Sequence, residues 1–269
     1  MPHRTLPAGL ALIIALLAPA AANAAGALEH ILKDGVVRIA IPDNFSPFGT
    51  LGPDMKPQGY DVDMAVLLAE GLGVKPELVT VASSERIPQL AGHKVDLVVS
   101  TLGKDDEREK LIDFSIAYAP FFSAVFGPAS LSVAKPDDLA GKTIAVTRDT
   151  VEDGVLTRLA PAGAVIKRYD DNARTQVAFL SNQAELIATG NAVAGDVLTQ
   201  SLVKKTVLKF VLRNSPCFVG VAKDEPDLLA KVNGIIAAAR HDGRLDRISR
   251  QWLKAPLGDP EHPDLVAGK

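Results

Sequence analysis

The chain has 269 residues, 47% hydrophobic and 23% charged, with a formal net charge of -3. This is the composition of a globular protein of one large domain or two modest lobes; it excludes collagen and disordered chains, and without a basic excess it argues against a nucleic-acid partner. A single cysteine, Cys217, excludes an internal disulfide and a cysteine-cluster metal site, and only 5% aromatic residues leave the core mostly aliphatic.

The chain opens MPHRTLPAGLALIIALLAPAAANAAG. His3 and Arg4 form a short basic region, residues 8–17 an apolar run, and Ala22-Asn23-Ala24 a small-residue end. This is the layout of a secretory signal peptide, residues 1–24, with cleavage after Ala24. The apolar run is short of the ~20 residues that span a bilayer, which argues against a membrane anchor. With no cysteine at the cleavage site, a lipid anchor is not expected either. The expected product is exported and soluble.

Residues 36–41 (VVRIAI) are a β-branched run ending at Pro42 and read as a buried strand. Residues 43–59, rich in Pro, Gly and Asp, read as a loop. Residues 61–72 (DVDMAVLLAEGL) have helical spacing, with Asp61 and Asp63 at the favourable end of the dipole and Gly73 as the stop. A strand over 78–81, a short helix over 84–90 and a strand over 95–99 follow. Such alternation implies an α/β layer structure with mostly parallel strands.

The same order restarts midway. Residues 143–146 read as a strand, 150–159 as a helix with Asp149 as N-cap and Glu152 at its third position, and 164–167 as a strand. Residues 175–190 read as a helix, followed by a short apolar run over 192–194, and 206–212 (TVLKFVL) as another strand. Two helices, 226–240 and 245–253, are separated by Asp242-Gly243. The joining segments, 114–122 (FSIAYAPFF) and 213–221 (RNSPCFVGV), are extended and apolar. They read either as paired hinge strands between two lobes or as two core strands of one domain.

There is no H-E-x-x-H, G-x-S-x-G, P-loop or G-x-G-x-x-G, so no motif argues for catalysis. Cys217 reads as a small buried hydrophobe. The distinctive stretch is Val98 to Arg108 (VVSTLGKDDER), a strand running into a polar turn with a cation eight residues after Ser100. Freed backbone N–H groups at such a turn bind anions, and an arginine holds a carboxylate with two parallel hydrogen bonds. Arg108 paired with Glu107, Asp105 or Asp106 on a solvated face is the competing reading, and spacing alone leans toward it.

At these residues the sequence resembles the extracytoplasmic solute-binding proteins of amino-acid ABC transporters (family 3). The ordered landmarks are Phe45-Ser46-Pro47-Phe48, Gly59-Tyr60-Asp61-Val62-Asp63, Arg86-Ile87-Pro88, Lys94-Val95-Asp96, Ser100-Thr101-Leu102 with Glu107-Arg108, Asp113-Phe114-Ser115, Leu139-Ala140-Gly141-Lys142, Asn233, Asp242-Gly243 and Trp252. The resemblance implies the α/β, two-lobed type II periplasmic-binding-protein flytrap fold with two hinge strands. Lobe 1 would be 25–119 with 217–269, and lobe 2 would be 120–216. It further implies a periplasmic monomer that captures a small-molecule amino acid for an ABC permease in the inner membrane, with no cofactor, metal or catalytic residue.

The ligand-binding positions it implies are Phe45, Ser83, Arg86, Ser100, Thr101, Leu102, Gly103, Arg108, Thr150, Val151 and Asp196. Arg108 and the backbone of 101–103 would clamp the α-carboxylate, with Thr150 donating to it from a helix start. Asp196 would accept the α-ammonium, and Phe45 would lie on the apolar body. The sequence departs from the family where Gly103 replaces a Ser or Thr, Val151 a second Thr, and Asn191 a frequent Asp. Ser83 with Arg86 resembles the glutamate/aspartate-binding branch, so Arg86 would meet a side-chain carboxylate; pairing with Glu85 or a helix-capping role is the competing reading. The alternative function is a periplasmic dehydratase on the same fold, with Asp196 or Asp149 as the acid.

Overall fold

The computed structural model describes residues 26–194 and 205–261. The leader and Asp196 lie outside the described residues. The elements in chain order begin with helix α1 (Ala27–Asp34), strands β1 (Val36–Ile41), β2 (Asn44–Phe45), β3 (Gly49–Leu51) and β4 (Pro57–Gln58), and helix α2 (Tyr60–Leu72). Then come β5 (Lys75–Thr80), α3 (Arg86–Ala91), β6 (Leu97–Leu102), α4 (Asp106–Glu109), β7 (Ile112–Ala119) and β8 (Phe122–Pro128). A 3-10 turn (Pro136–Leu139) leads into β9 (Thr143–Thr147), α5 (Val151–Leu159), β10 (Val165–Tyr169), α6 (Asn172–Leu180), β11 (Leu186–Gly190) and α7 (Asn191–Val193). The chain closes with β12 (Thr206–Asn214), β13 (Cys217–Ala222), α8 (Pro226–His241) and α9 (Arg244–Trp252).

Two five-stranded sheets share one plan. The first has the order β5-β1-β6-β13-β7 and the second β10-β9-β11-β8-β12. In each, three strands are parallel and the last two antiparallel to their neighbours. The chain leaves the first sheet after β7 through Pro120 and Phe121 and returns after β12 through Ser215 and Pro216. These crossings are joined where Ser215 N–H donates to the Phe121 carbonyl at 3.0 Å.

The first core buries Val37, Ile39 and Ile41 of β1 against Met64, Leu68 and Leu72 of α2 and Val232, Ile236 and Leu245 near the C-terminus. Cys217 belongs to this core as a free, buried thiol. The second sheet packs Ile144, Val146, Leu156, Leu186 and Ala188. Both cores are mostly aliphatic, and truncating one such buried Leu or Ile to Ala costs about 2–5 kcal/mol. The first core also holds a chain of aromatic rings from Phe45 through Phe121 and Phe48 to Tyr60 and Tyr118, with centroid separations of 5.7–6.3 Å.

Several landmarks have structural work. The Asp63 carboxylate accepts from the Trp252 indole at 2.7 Å, tying α2 to α9, and Asn233 accepts the Ile116 N–H at 2.8 Å. Asp96 receives the Arg38 backbone and guanidinium, which fixes the entry to β6 beside β1.

Three expectations from the sequence are corrected. The helix expected over 175–190 is α6 followed by the buried strand β11. Asn182, at φ 61°, turns the chain between them, and Leu186–Gly190 pairs with β8 and β9. Residues 43–59 carry the small sheet β2-β3-β4. The N-cap of α5 is Thr150, not Asp149; Asp149 sits at φ 59°, and the Thr150 hydroxyl accepts from Asp153 N–H.

Candidate functional site

In open α/β sheets a ligand lies beyond the carboxyl ends of the parallel strands. Here β6 ends at Leu102, β9 at Thr147 and β11 at Gly190, and a cavity opens beside these ends. It is walled from the first sheet's side by Phe45, Arg86, Thr101, Gly103 and Arg108, from the second's by Thr147, Thr150, Val151, Glu152, Asn172, Ala188 and Thr189, and at the crossings by Phe121 and Ser215.

Seven of the residues singled out in the sequence therefore meet at one cavity: Phe45, Arg86, Thr101, Gly103, Arg108, Thr150 and Val151. Ser83 supports the wall from behind, accepting from Arg86 Nη2 at 2.8 Å. Ser100 and Leu102 do not line it. Leu102 packs into the core with Leu90, Val98 and Ile112. Ser100 is buried with its hydroxyl unpartnered. The residues that sequence reading missed are Phe121, Thr147, Glu152, Asn172, Ala188, Thr189 and Ser215. Glu152 alone carried a signal, as an acid in the first turn of α5, and that signal reads as ordinary helix-dipole complementarity.

β6 reaches the cavity through a distortion. Leu102 pairs with Phe218 and Val98 with Gly220, so β6 spends more residues than β13 between the same two rungs. Thr101 lies in this bulge at φ 46°, a rare conformation for a β-branched residue. Its hydroxyl donates to Asp61 at 2.7 Å, and the Tyr118 hydroxyl donates to the other Asp61 oxygen at 2.5 Å. Burial raises the Asp61 carboxyl to about 6 despite these bonds and the nearby Arg86.

Two arginines face the cavity. Arg108 donates through Nη1 to the Gly103 carbonyl at 2.8 Å and through Nη2 to the Asp149 carbonyl at 2.7 Å, joining the turn after β6 to the turn before α5. It also stands 3.5 Å from Asp105, while Glu107 pairs with Lys110. The competing reading is met in the Asp105 contact but not in its solvated face, since the Arg108 side chain is only 12% exposed. Arg86 is only 6% exposed, and its Nε is buried without a partner. Glu85 instead accepts the Ala82 N–H, so the expected alternative Arg86–Glu85 pair is not formed. Burial, then repulsion from Arg108, lowers Arg86 to about 10, which leaves it cationic at neutral pH. Burial likewise lowers Arg108, opposed first by Asp105.

Glu152 is the one carboxylate lining the cavity among the described residues. It is 7% exposed, and desolvation raises its carboxyl above the ordinary range, opposed by hydrogen bonding and by Arg108 and Arg86. The Thr150 hydroxyl is committed: it donates to the Thr147 carbonyl at 2.8 Å while accepting from Asp153 N–H. It can donate to a ligand only after breaking the Thr147 bond. The glycine departure has a steric cause, since a Cβ on Gly103 would lie 2.4 Å from Ser215 Oγ and 2.8 Å from Val151 Cγ2.

Among the described residues there is no group of three or more His, Cys, Asp or Glu able to hold a metal, and no helix long and apolar enough to cross a membrane. The arrangement suits a small ligand with anionic groups, held between two sets of strand ends.

The profile of the bacterial extracellular solute-binding proteins, family 3, matches residues 37–255. The L-cystine-binding protein TcyJ of Escherichia coli is 26% identical over 86% of this chain and 88% of its own length. The L-arginine-binding protein of Pseudomonas aeruginosa is 28% identical over 84% and 91%. An ancestral amino acid-binding protein described as a precursor of cyclohexadienyl dehydratase superposes with a TM-score of 0.76 at 27% identity, over 85% of this chain and 99% of its own. The two-sheet architecture is the type II periplasmic-binding fold.

Proposed function

Since the chain belongs to the bacterial extracellular solute-binding proteins of family 3, we propose that it captures a polar amino acid in the periplasm and delivers it to the permease of an ABC transporter. The observation that carries this reading is Arg108, which spans the mouth of the cavity by bonding both Gly103 and Asp149. A guanidinium so placed presents its charge to a ligand carboxylate while holding the two sets of strand ends together. Lobe 1 comprises 25–119 with 217–269 and lobe 2 comprises 120–216, and the protein works as a monomer. Closing the lobes expels water and strengthens every charged contact inside.

The ligand in this reading is acidic, glutamate- or aspartate-like. The partnerless Nε of Arg86 in the cavity wall supports it, because a ligand carboxylate would give this buried donor an acceptor and add to the attraction of Asp61 and Glu152. The test is a thermal-shift screen of the mature chain, stripped of ligand by unfolding and refolding, against the common amino acids, dicarboxylates, polyamines and prephenate. A ligand at 100 times its Kd adds about 2.7 kcal/mol, a rise of roughly 5–10 °C for a chain of this size. A rise with glutamate or aspartate supports the reading, and a rise with no amino acid refutes it. The likeness to the dehydratase precursor favours one second reading, a periplasmic dehydratase, and turnover of prephenate or arogenate is its test.

A further inference from the structure

We propose that Asn44 and Asn172 form a latch across the cleft, so that Asn44, which stands outside the cavity, sets how firmly the protein closes on every ligand without choosing among them. This rests on the amino-acid-binding reading above and adds to it a positioning residue away from the charged groups.

The Asn172 Nδ2 donates to Asn44 Oδ1 at 3.3 Å, between residues 128 positions apart in the chain. Asn44 belongs to β2, on the first sheet's side, and adjoins Phe45 of the cavity wall. Asn172 opens α6, on the second sheet's side, and lines the cavity. The bonds that Arg108 and Arg213 make across the cleft, to the Asp149 and Lys104 carbonyls, both involve the turn after β6. A ligand carboxylate drawn to Arg108 bears directly on that turn. The Asn44–Asn172 bond uses none of its residues, so it holds however the ligand engages Arg108.

The latch is prepared on the α6 side. The Thr147 hydroxyl lies 2.9 Å from Asn172 Oδ1 and 2.8 Å from the Thr175 hydroxyl, and Thr175 donates to the Asp171 carbonyl at 2.8 Å. Asp171 caps α6 by accepting the Arg174 N–H at 2.7 Å. Asn172, Thr147 and Thr175 are all buried. With Oδ1 held by this network, Nδ2 is aimed at Asn44, and little side-chain freedom is lost when the bond forms. On the other side Asn44 pairs with Thr50 in the small sheet, and the Phe45 ring packs against Phe48 and Phe121 at 6.0 and 6.3 Å. A shut latch therefore keeps Phe45 against the cavity.

Both amides are neutral. Opening returns each to water, so the bond adds to closure the modest worth of one neutral hydrogen bond. That contribution is the same for any ligand whose binding requires closure, and salt does not screen it as it screens charges.

Calorimetric titrations of the refolded mature chain with L-glutamate, L-aspartate and the amino acid of largest thermal shift test this on wild type, Asn44→Ala, Asn172→Ala and the double variant. Asn44→Ala weakens each ligand that wild type binds by one common factor, about 3- to 10-fold. The factor persists at high salt, ligand dissociation quickens by a similar factor, and the ligand-free melting midpoint is unchanged. In the Asn172→Ala background, Asn44→Ala has no further effect, because the bond is already gone. An Asn44→Ala affinity equal to wild type, a factor that differs among ligands, an equal loss in the Asn172→Ala background, or a matching fall in the ligand-free melt each overturns the latch and leaves the functional reading standing. A wild-type chain that binds no amino acid overturns both.

Discussion

The Thr101 hydroxyl donates to the buried Asp61 carboxylate across 2.7 Å, from a backbone held at φ 46°. A β-branched residue in that region costs about 1–3 kcal/mol and persists only where its surroundings fix it. Here the fixing group is the carboxylate at the start of α2. The bond aims the turn of residues 101–103 at the cavity, so a residue that never lines the site shapes its floor.

That carboxyl makes stability depend on pH. The folded protein holds Asp61 at about 6, above the 3.8 of a free aspartate, so between these values the folded state binds more protons than the unfolded state. Its contribution is full below about pH 4 and is lost as pH rises through 6, by about 3 kcal/mol in all. Urea melts of wild type and Asp61→Asn across pH 4–7 should diverge in this sense. Parallel curves would show that Asp61 does not titrate there.

Removing the Arg108 guanidinium should weaken ligand binding far more than folding. Arg108→Met loses the bonds to Gly103 and Asp149 and the charge offered to the ligand. Charge-assisted bonds are worth about 1.5–3 kcal/mol each, which predicts a loss of roughly 100-fold or more in affinity. Calorimetry reads the affinity and a thermal melt without ligand reads the fold. An affinity within threefold of wild type would remove Arg108 from the site.

Arg86→Met keeps much of the side chain's length and removes the charge. Dicarboxylate ligands should lose about 10- to 100-fold while neutral amino acids change little. Stability without ligand should hold or rise, since a buried cation repelled by Arg108 is gone. Unchanged preference for acidic over neutral ligands would assign Arg86 a purely structural role.

Gly103→Ala should oppose closure. The new methyl meets Ser215 and Val151, one at the crossing and one at the start of α5, so the turn must move away from both. Overpacking of this kind costs about 1–3 kcal/mol. Because a cleft can open where a core cannot, the loss should fall on affinity, at roughly 10-fold or more. X-ray scattering with saturating ligand would read the degree of closure. A compact form indistinguishable from wild type would mean that the contact is not limiting.

Much of the scaffold was legible because its signals are local. The β-branched run of β1, the helical spacing of α2 and the Gly73 stop each report on neighbouring residues. Strand β11 was not legible: Leu186–Gly190 continues an apolar spacing compatible with α6, and only pairing with β8 and β9 makes it a strand. Arg86, Thr101 and Arg108, which line the cavity, were singled out through ordered motifs. The burial of the Leu102 side chain in the core was not legible, because the motif does not say which way each side chain of the turn faces.

The sequence by itself determined the paired α/β units, the aliphatic cores and the family, since these rest on composition, period and ordered motifs. Only the tertiary structure decided which charges share a cavity. Glu152 lies 66 residues from Arg86 and 44 from Arg108 along the chain. Their joint effect depends on distance and desolvation in space, and neither quantity is written in the spacing of residues along one strand or helix.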